Sequence, residues 1–318
     1  MSVLYFTSEL PMQGKTALCS SVANLLKEGG VKVKIVNVLS STSPHHHALA
    51  NYGNIFPMDQ DIFSAVSISE ASSSLGDLKK SSDLILVEAD SSIPAENQKT
   101  LVSETDAEVI VVSDYVNSSQ CTDFSKSFGE NLKGVVINFV PRFAETNVSE
   151  YLIPQFESLD VAVIGFIPED RYLLSLSVGQ IAKLLTGRFF SGKDLSDGLV
   201  QSFMVGGFGM DPGQYVFSTK SDKAVVIRGD RPDVQMSALQ TNVTCFIMTN
   251  GIEPIEYIKY ESQEEGVPIL IVEKNTIETM EDIGNLQINA AFDRPDKLKR
   301  MSDLVDQGVG LERLTGSL

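Results

Sequence analysis

Gly14-Lys15-Thr16 follows the apolar run Met1–Phe6 and opens the helix-like stretch Ala17–Lys27. Strand, loop and helix in that order are where a P-loop belongs, a device that aims backbone N–H groups and a helix N-terminus at a polyphosphate. Lys15 then reaches the β/γ-phosphates, and the Thr16 hydroxyl reaches Mg²⁺. The front of the loop departs from this pattern. Glu9 stands where the general pattern has its first glycine, and Leu10-Pro11-Met12-Gln13 contains none. A carboxylate and bulky side chains therefore occupy positions where bare backbone meets an anion.

Behind this loop, short apolar runs alternate with helix-like stretches: Val3–Phe6, Val33–Val38, Leu84–Val87, Val109–Val112, Gly134–Phe139 and Val161–Ile164. Such alternation predicts an α/β fold with a parallel sheet covered by helices on both faces. Ala48–Ser81 is mixed, with helical readings over Asp59–Val66 and Ile68–Lys80. Val178–Leu185 reads as a helix closed by Thr186-Gly187, and the polar stretch Ser191–Ser196 marks a boundary between domains 1–190 and 191–318.

The pattern then restarts. Ala224–Ile227 leads into Gly229-Asp230-Arg231-Pro232, where Pro232 suits the first turn of a helix ending at Leu239. Thr244–Met248 and Val267–Val272 read as strands, and Pro254–Glu265 and Thr276–Leu286 as helices, giving a second, smaller parallel α/β domain. Its loops Gly229–Arg231 and Thr249–Gly251 fall at carboxyl ends of strands, the edge where parallel sheets bind ligands. In the tail, Leu298, Met301 and Val305 have helical spacing, which predicts a docked terminal helix.

Composition removes several classes of function. With a formal net charge of −17, the chain opposes extended contact with nucleic acid or an anionic membrane. No apolar run approaches the roughly 20 residues that span a bilayer, and a cytoplasmic location is expected. Cys19, Cys121 and Cys245 have neither zinc spacing nor disulfide density, and are read as reduced core residues. Every histidine lies in His45–His47, whose consecutive side chains do not share a face, so a solvated loop is favoured there over a three-ligand metal site. Gly206-Gly207-Phe208-Gly209 reads as a bend between elements, since no helix follows to give its glycines an anion.

Taken in order, Gly14-Lys15-Thr16, Leu84–Glu88, Gly134–Asn138, Ile167–Asp170, Gly229–Asp233 and Thr249-Asn250-Gly251 bring a family into view. The first part resembles the dethiobiotin-synthetase-like P-loop domain in the N-terminal region of long bacterial phosphotransacetylases, and the second resembles the DRTGG domain that follows it there. The acetyl-transferring domain of those enzymes is not among these residues, so the resemblance implies no phosphotransacetylase activity. It implies a P-loop NTPase-like sheet followed by a DRTGG-like domain, with Gly14, Lys15 and Thr16 on phosphate, Thr16 and Glu88 on the metal side, and Asn138 on the adenine edge. Its expected cofactors are ATP and Mg²⁺.

The residues leave alternatives at each place. Glu88 is a metal-side carboxylate or an exposed strand-end residue, with Asp90 nearby able to substitute; Asn138 reads a base or bonds its own turn. Asp230 and Arg231, with Thr249, Asn250 and Gly251, form an anion clamp, or else an Arg–Asp pair pins the turn or makes a dimer contact. Asn250 tolerates a left-handed backbone where the family has glycine. Asn37 stands where dethiobiotin synthetases have a lysine, and an amide supplies no positive charge to a carboxylate substrate. Ala89 also departs from a common glycine. The favoured expectation is a regulatory or sensing protein, a homodimer or partner of a metabolic enzyme. An ATP- and Mg²⁺-dependent ligase and a ligand-free interaction scaffold stand as alternatives, and whether the chain turns over a substrate stays open.

Overall fold

The computed structural model describes residues 2–40, 52–207, 210–284 and 290–316. The chain divides into two compact units, one of Met1–Asp170 with Phe292–Leu318, the other of Arg171–Ala291. The boundary expected at residue 190 falls inside the second unit, and the terminal helix expected there belongs to the first. His45–His47, Phe208 and Gly209 lie outside the described residues; a helix, Met210–Phe217, does follow the glycine run, contrary to expectation.

In the first unit, strands β1 (Ser2–Thr7), β2 (Val33–Leu39), β3 (Phe63–Ser67), β4 (Leu84–Ala89), β5 (Glu108–Asp114), β6 (Leu132–Val140) and β7 (Val163–Pro168) form one sheet. Its order is β3-β2-β4-β1-β5-β6-β7, and every pairing is parallel. The expected parallel sheet and its P-loop NTPase-like arrangement of strand, loop and helix are therefore present. Period-two alternation divides β1 between two cores. Val3 and Tyr5 join Ile85, Val87, Val109 and Val111 beneath helices α2 (Ile68–Leu78) and α3 (Ala95–Thr105). Leu4 and Phe6 are buried too and face the other way, toward α1 (Lys15–Glu28). The chain leaves β1 for β2 on one side and later β4 for β5 on the other. That reversal opens a crevice at the carboxyl ends of β1, β4 and β5, directly before α1.

One strand departs from expectation. Asp59–Val66 does not form a helix: a single 3₁₀ turn, Gln60–Ile62, leads into β3, which lines up against β2 from Ile35 opposite Phe63 to Leu39 opposite Ser67. Five residues carry too weak a period to distinguish the two states, and pairing with an open sheet edge decides.

The second unit holds β8 (Leu176–Ser177), α4 (Val178–Leu184), β9 (Arg188–Ser191), β10 (Leu199–Val200), β11 (Ser202–Val205), α5 (Met210–Phe217), β12 (Lys223–Arg228), α6 (Pro232–Leu239), β13 (Val243–Thr249), α7 (Glu256–Glu264), β14 (Ile269–Ile271) and α8 (Thr276–Gly284). Its main sheet runs β11-β12-β13-β14-β9; the first four are parallel, but β9 is antiparallel to β14, which corrects the all-parallel expectation. Ser177 caps α4 in a reciprocal arrangement with Gln180, which satisfies two otherwise unpaired backbone N–H groups.

The chain then returns to the first unit as α9 (Pro295–Gly308), which packs on α1 and β7. Arg300 donates to Asp170 through Nε at 3.0 Å and Nη2 at 2.7 Å. A Cβ on Gly308 would stand 2.3 Å from the Phe166 carbonyl oxygen, and one on Gly165 would stand 2.4 Å from the Gly308 carbonyl. The backbones of strand and helix end are in direct contact there.

Candidate functional site

The loop between β1 and α1 turns into the helix through two residues of positive φ. Met12 and Gly14 both have left-handed backbones, with φ of 60° and 89°. Met12 bears a Cβ that resists this conformation, and its side chain is 69% exposed. Glu9, Leu10 and Pro11 are exposed as well, whereas Gln13 is buried. Its amide nitrogen donates to Asp114 Oδ2 at 3.0 Å and to the Pro11 carbonyl at 3.2 Å, while its oxygen accepts from the Asp114 backbone N–H. A side-chain clamp to β5 thus holds the loop. On that side a cavity of about 60 Å³ is lined by Glu9, Leu10, Gln13, Val112, Ser113, Asn117, Gln120 and Cys121.

Gly14 is the N-cap of α1, with no side-chain cap and no acidic residue in the first turn. The first N–H groups of this helix therefore face the loop without an intrahelical acceptor. Lys15 is only 8% exposed, and Nζ donates to Ser8 Oγ at 2.6 Å. Burial lowers its pKa, opposed by the negative charges of Glu88 and Asp90. The site thus combines a desolvated ammonium, one neutral acceptor and an open helix N-terminus.

Across the crevice Thr16 and Glu88 are in hydrogen-bond contact. Thr16 Oγ1 donates to Glu88 Oε1 at 2.5 Å. Glu88 is 6% exposed, so it is not the exposed strand-end residue of the alternative reading. Its Oε2 accepts from Asn37 Nδ2 at 3.0 Å and from the Tyr52 hydroxyl. Asn37 sits opposite Glu88 in the β2–β4 register. Asn37 Oδ1 is buried with no hydrogen-bond partner among the described residues. Tyr52 and Cys19 are buried beside this carboxylate, and burial pushes both pKa values well up. Thr16, Glu88 and the orphaned Asn37 oxygen make an all-oxygen donor set, which fits a hard divalent cation such as Mg²⁺.

Asn138 makes its hydrogen bonds to the loop and to its own turn. Its Nδ2 donates to the Gln13 carbonyl at 3.0 Å, and its Oδ1 accepts from the neighbouring Phe139 N–H at 2.9 Å. At 4% exposure it braces the loop from β6. Tyr52, Ser8 and Gln13 were not identified from the sequence. Tyr52 is 36 residues from Glu88, inside the mixed stretch, with no local signal of the contact.

In the second unit the first expected loop packs against Ile252, the residue that follows the second. A Cβ on Gly229 would fall 2.0 Å from the Ile252 carbonyl oxygen. Asp230 and Arg231, however, do not act as one clamp. Asp230 accepts from Arg228, with Nε at 2.9 Å, and these hydrogen bonds lower its pKa. Arg231 makes two 3.0 Å bonds to Asp233, the planar fork taking the carboxylate two residues on. Thr249 is buried, its hydroxyl 3.0 Å from that of Thr276. Asn250 has the left-handed backbone anticipated for it, φ 63°, and its N–H donates to the Lys274 carbonyl; the Gly251 N–H donates to that of Val272. Gln235 Nε2 adds bonds to the Arg228 and Gly229 carbonyls. This edge is pinned by its own side chains.

Among the described residues no helix is long and apolar enough to cross a membrane, and no group of three or more His, Cys, Asp or Glu side chains is placed to hold a metal ion.

Among solved structures, the MinD cell division protein of Aquifex aeolicus is similar at TM-score 0.42 and 17% identity, over 55% of this chain and 85% of that one. MinD of Pyrococcus horikoshii, described in complex with Mg-ADP, is similar at TM-score 0.40 and 16% identity, over 54% of this chain and 83% of that one. The CBS and DRTGG regulatory region of Clostridium perfringens pyrophosphatase, complexed with diadenosine tetraphosphate, is similar at TM-score 0.32 and 14% identity, over 41% of this chain and 54% of that one. Residues 180–286 match the family model of the DRTGG domain. The match to the DRTGG domain falls within the second unit.

Proposed function

We propose that the first unit binds the polyphosphate of a nucleotide as a regulatory signal, with ATP and Mg²⁺ the expected pair. The carrying observation is Lys15, a buried ammonium whose hydrogen bond goes to a single neutral hydroxyl beside the uncapped start of α1. A desolvated cation with too few acceptors favours an anionic ligand, and the adjoining N–H groups favour phosphate. Gly14, Lys15 and Thr16 take the phosphates; Thr16 and Glu88 take the cation side. Mg²⁺ at this place supplies charge neutralisation to the phosphate oxygens. Asn138 holds the loop in register.

Regulation is favoured over ligation because residue 37 is an amide already bonded to Glu88, so no cation is available there for a carboxylate substrate. In the second unit, Asp230, Arg231, Thr249, Asn250 and Gly251 shape an edge for a metabolite or for association of two copies. The relation to the non-catalytic region of phosphotransacetylases, the cytoplasmic location, the homodimer and the metabolic-enzyme partner belong to this proposal. Calorimetric titration with ATP·Mg²⁺ and a phosphate-release assay, on wild type and Lys15→Ala, test it. Expected are binding without turnover and an affinity about 10- to 100-fold weaker in the variant, the loss of a charged hydrogen-bonding group. Turnover abolished by the substitution would move the protein to the ligase reading, and absence of both signals would leave the scaffold.

A further inference from the structure

Glu88 has an uneven set of partners. Three donors converge on it, two of them on the single oxygen Oε2, while the oxygen of one donor, Asn37 Oδ1, has no partner among the described residues. The orientation of the Asn37 amide is determined chemically: a flipped amide would set two acceptor oxygens against each other. Asn37 is 6% exposed, so its carbonyl oxygen is deprived of bulk water as well. One water molecule donating to both Glu88 Oε2 and Asn37 Oδ1, in place of the Tyr52 hydroxyl, would keep two donors on the first and fill the vacancy on the second. A water held by a divalent cation is such a double donor, because its lone pair is committed to the metal. Thr16 Oγ1 can meanwhile keep its proton on Glu88 and offer a lone pair to the same cation.

Tyr52 stands in the way only by its hydroxyl. Its ring is stacked on Phe63 with centroids 5.7 Å apart, and the side chain is 1% exposed. Because the hydroxyl oxygen is fixed to the ring, releasing Glu88 draws the ring away from the carboxylate with it.

We propose that Tyr52 is the placeholder of a hydrated divalent cation: its hydroxyl holds Glu88 in the free chain, and a cation-bound water replaces it while donating its second hydrogen to Asn37. This rests on the reading of the Lys15 loop as a polyphosphate site. Tyr52 and Asn37 are then positioning residues. They determine how strongly the cation assists the nucleotide.

The test is calorimetric titration of the full chain with ADP, once in EDTA and once in Mg²⁺, reading the ratio of the two affinities. Tyr52→Phe, which keeps the ring and removes the competitor, is expected to raise the ratio about fivefold. Asn37→Leu is expected to lower it about tenfold, the usual size of an outer-shell loss at a metal. Asn37→Asp keeps an acceptor and is expected to hold the ratio at or above wild type. Thermal melts of each variant show that a changed ratio is read on folded protein. A ratio unmoved or lowered by Tyr52→Phe overturns the proposal, as does one unmoved by Asn37→Leu. Wild type that binds no ADP under either condition defeats the polyphosphate reading, and this inference with it; wild type that binds ADP while the variants keep its ratio defeats the inference alone.

Discussion

Gly14 meets two constraints at once. Its φ is 89°, and a Cβ there would lie 2.1 Å from Asn138 Nδ2, the group that braces the loop. Gly14→Ala must therefore strain the backbone and expel the Asn138 amide together. We expect a loss of about 2 kcal/mol in unfolding free energy, measurable by denaturant titration. Asn138→Ala should weaken nucleotide binding through loss of loop order, by about tenfold. Retained affinity in a calorimetric titration would show that the brace does not matter. At this scale the sequence was legible wherever a motif is local. Gly14, Lys15 and Thr16 are neighbours, and Glu88 ends a readable strand. Tyr52 and Gln13 act on partners 36 and 101 residues away, and no periodicity carries such information.

Among the elements, strands buried on both faces were read nearly to their ends because their apolar runs are continuous. The edge strands β3 and β9 were not, since half-exposed residues blur the period. The helix α9 was readable as a helix, but its place in the first unit rests on contacts no local pattern encodes. Within it, Lys297 is 1% exposed and burial lowers its pKa to about 8. The unfolded lysine titrates near 10.5. Between these values the unfolded chain holds more protons than the folded one, so this residue makes stability rise with pH from about 8 to 10.5. Below that window the charged form opposes folding. Lys297→Met should raise unfolding free energy by about 1–3 kcal/mol at pH 7, with the gain shrinking toward pH 10. Paired denaturant titrations across that range check the sign, and a gain that grows with pH would refute it.

For the whole molecule, two units with separate cores predict two unfolding steps in calorimetry. ADP at a hundred times its dissociation constant should stabilise the step of the first unit by about 2.7 kcal/mol and leave the other in place. A shift of both steps would show that the units unfold together. The sequence located both α/β patterns but placed the last helix with its nearest neighbour in the chain, because contiguity is the default when no contact is visible. The meeting of Gly165 and Gly308 has a consequence for cleavage. A protease that nicks the segment between Arg171 and Ala291 would divide the polypeptide without dividing the P-loop unit, since its two pieces remain clasped across strand β7. Such a clipped protein should elute as one species under native conditions and separate into two only in denaturant.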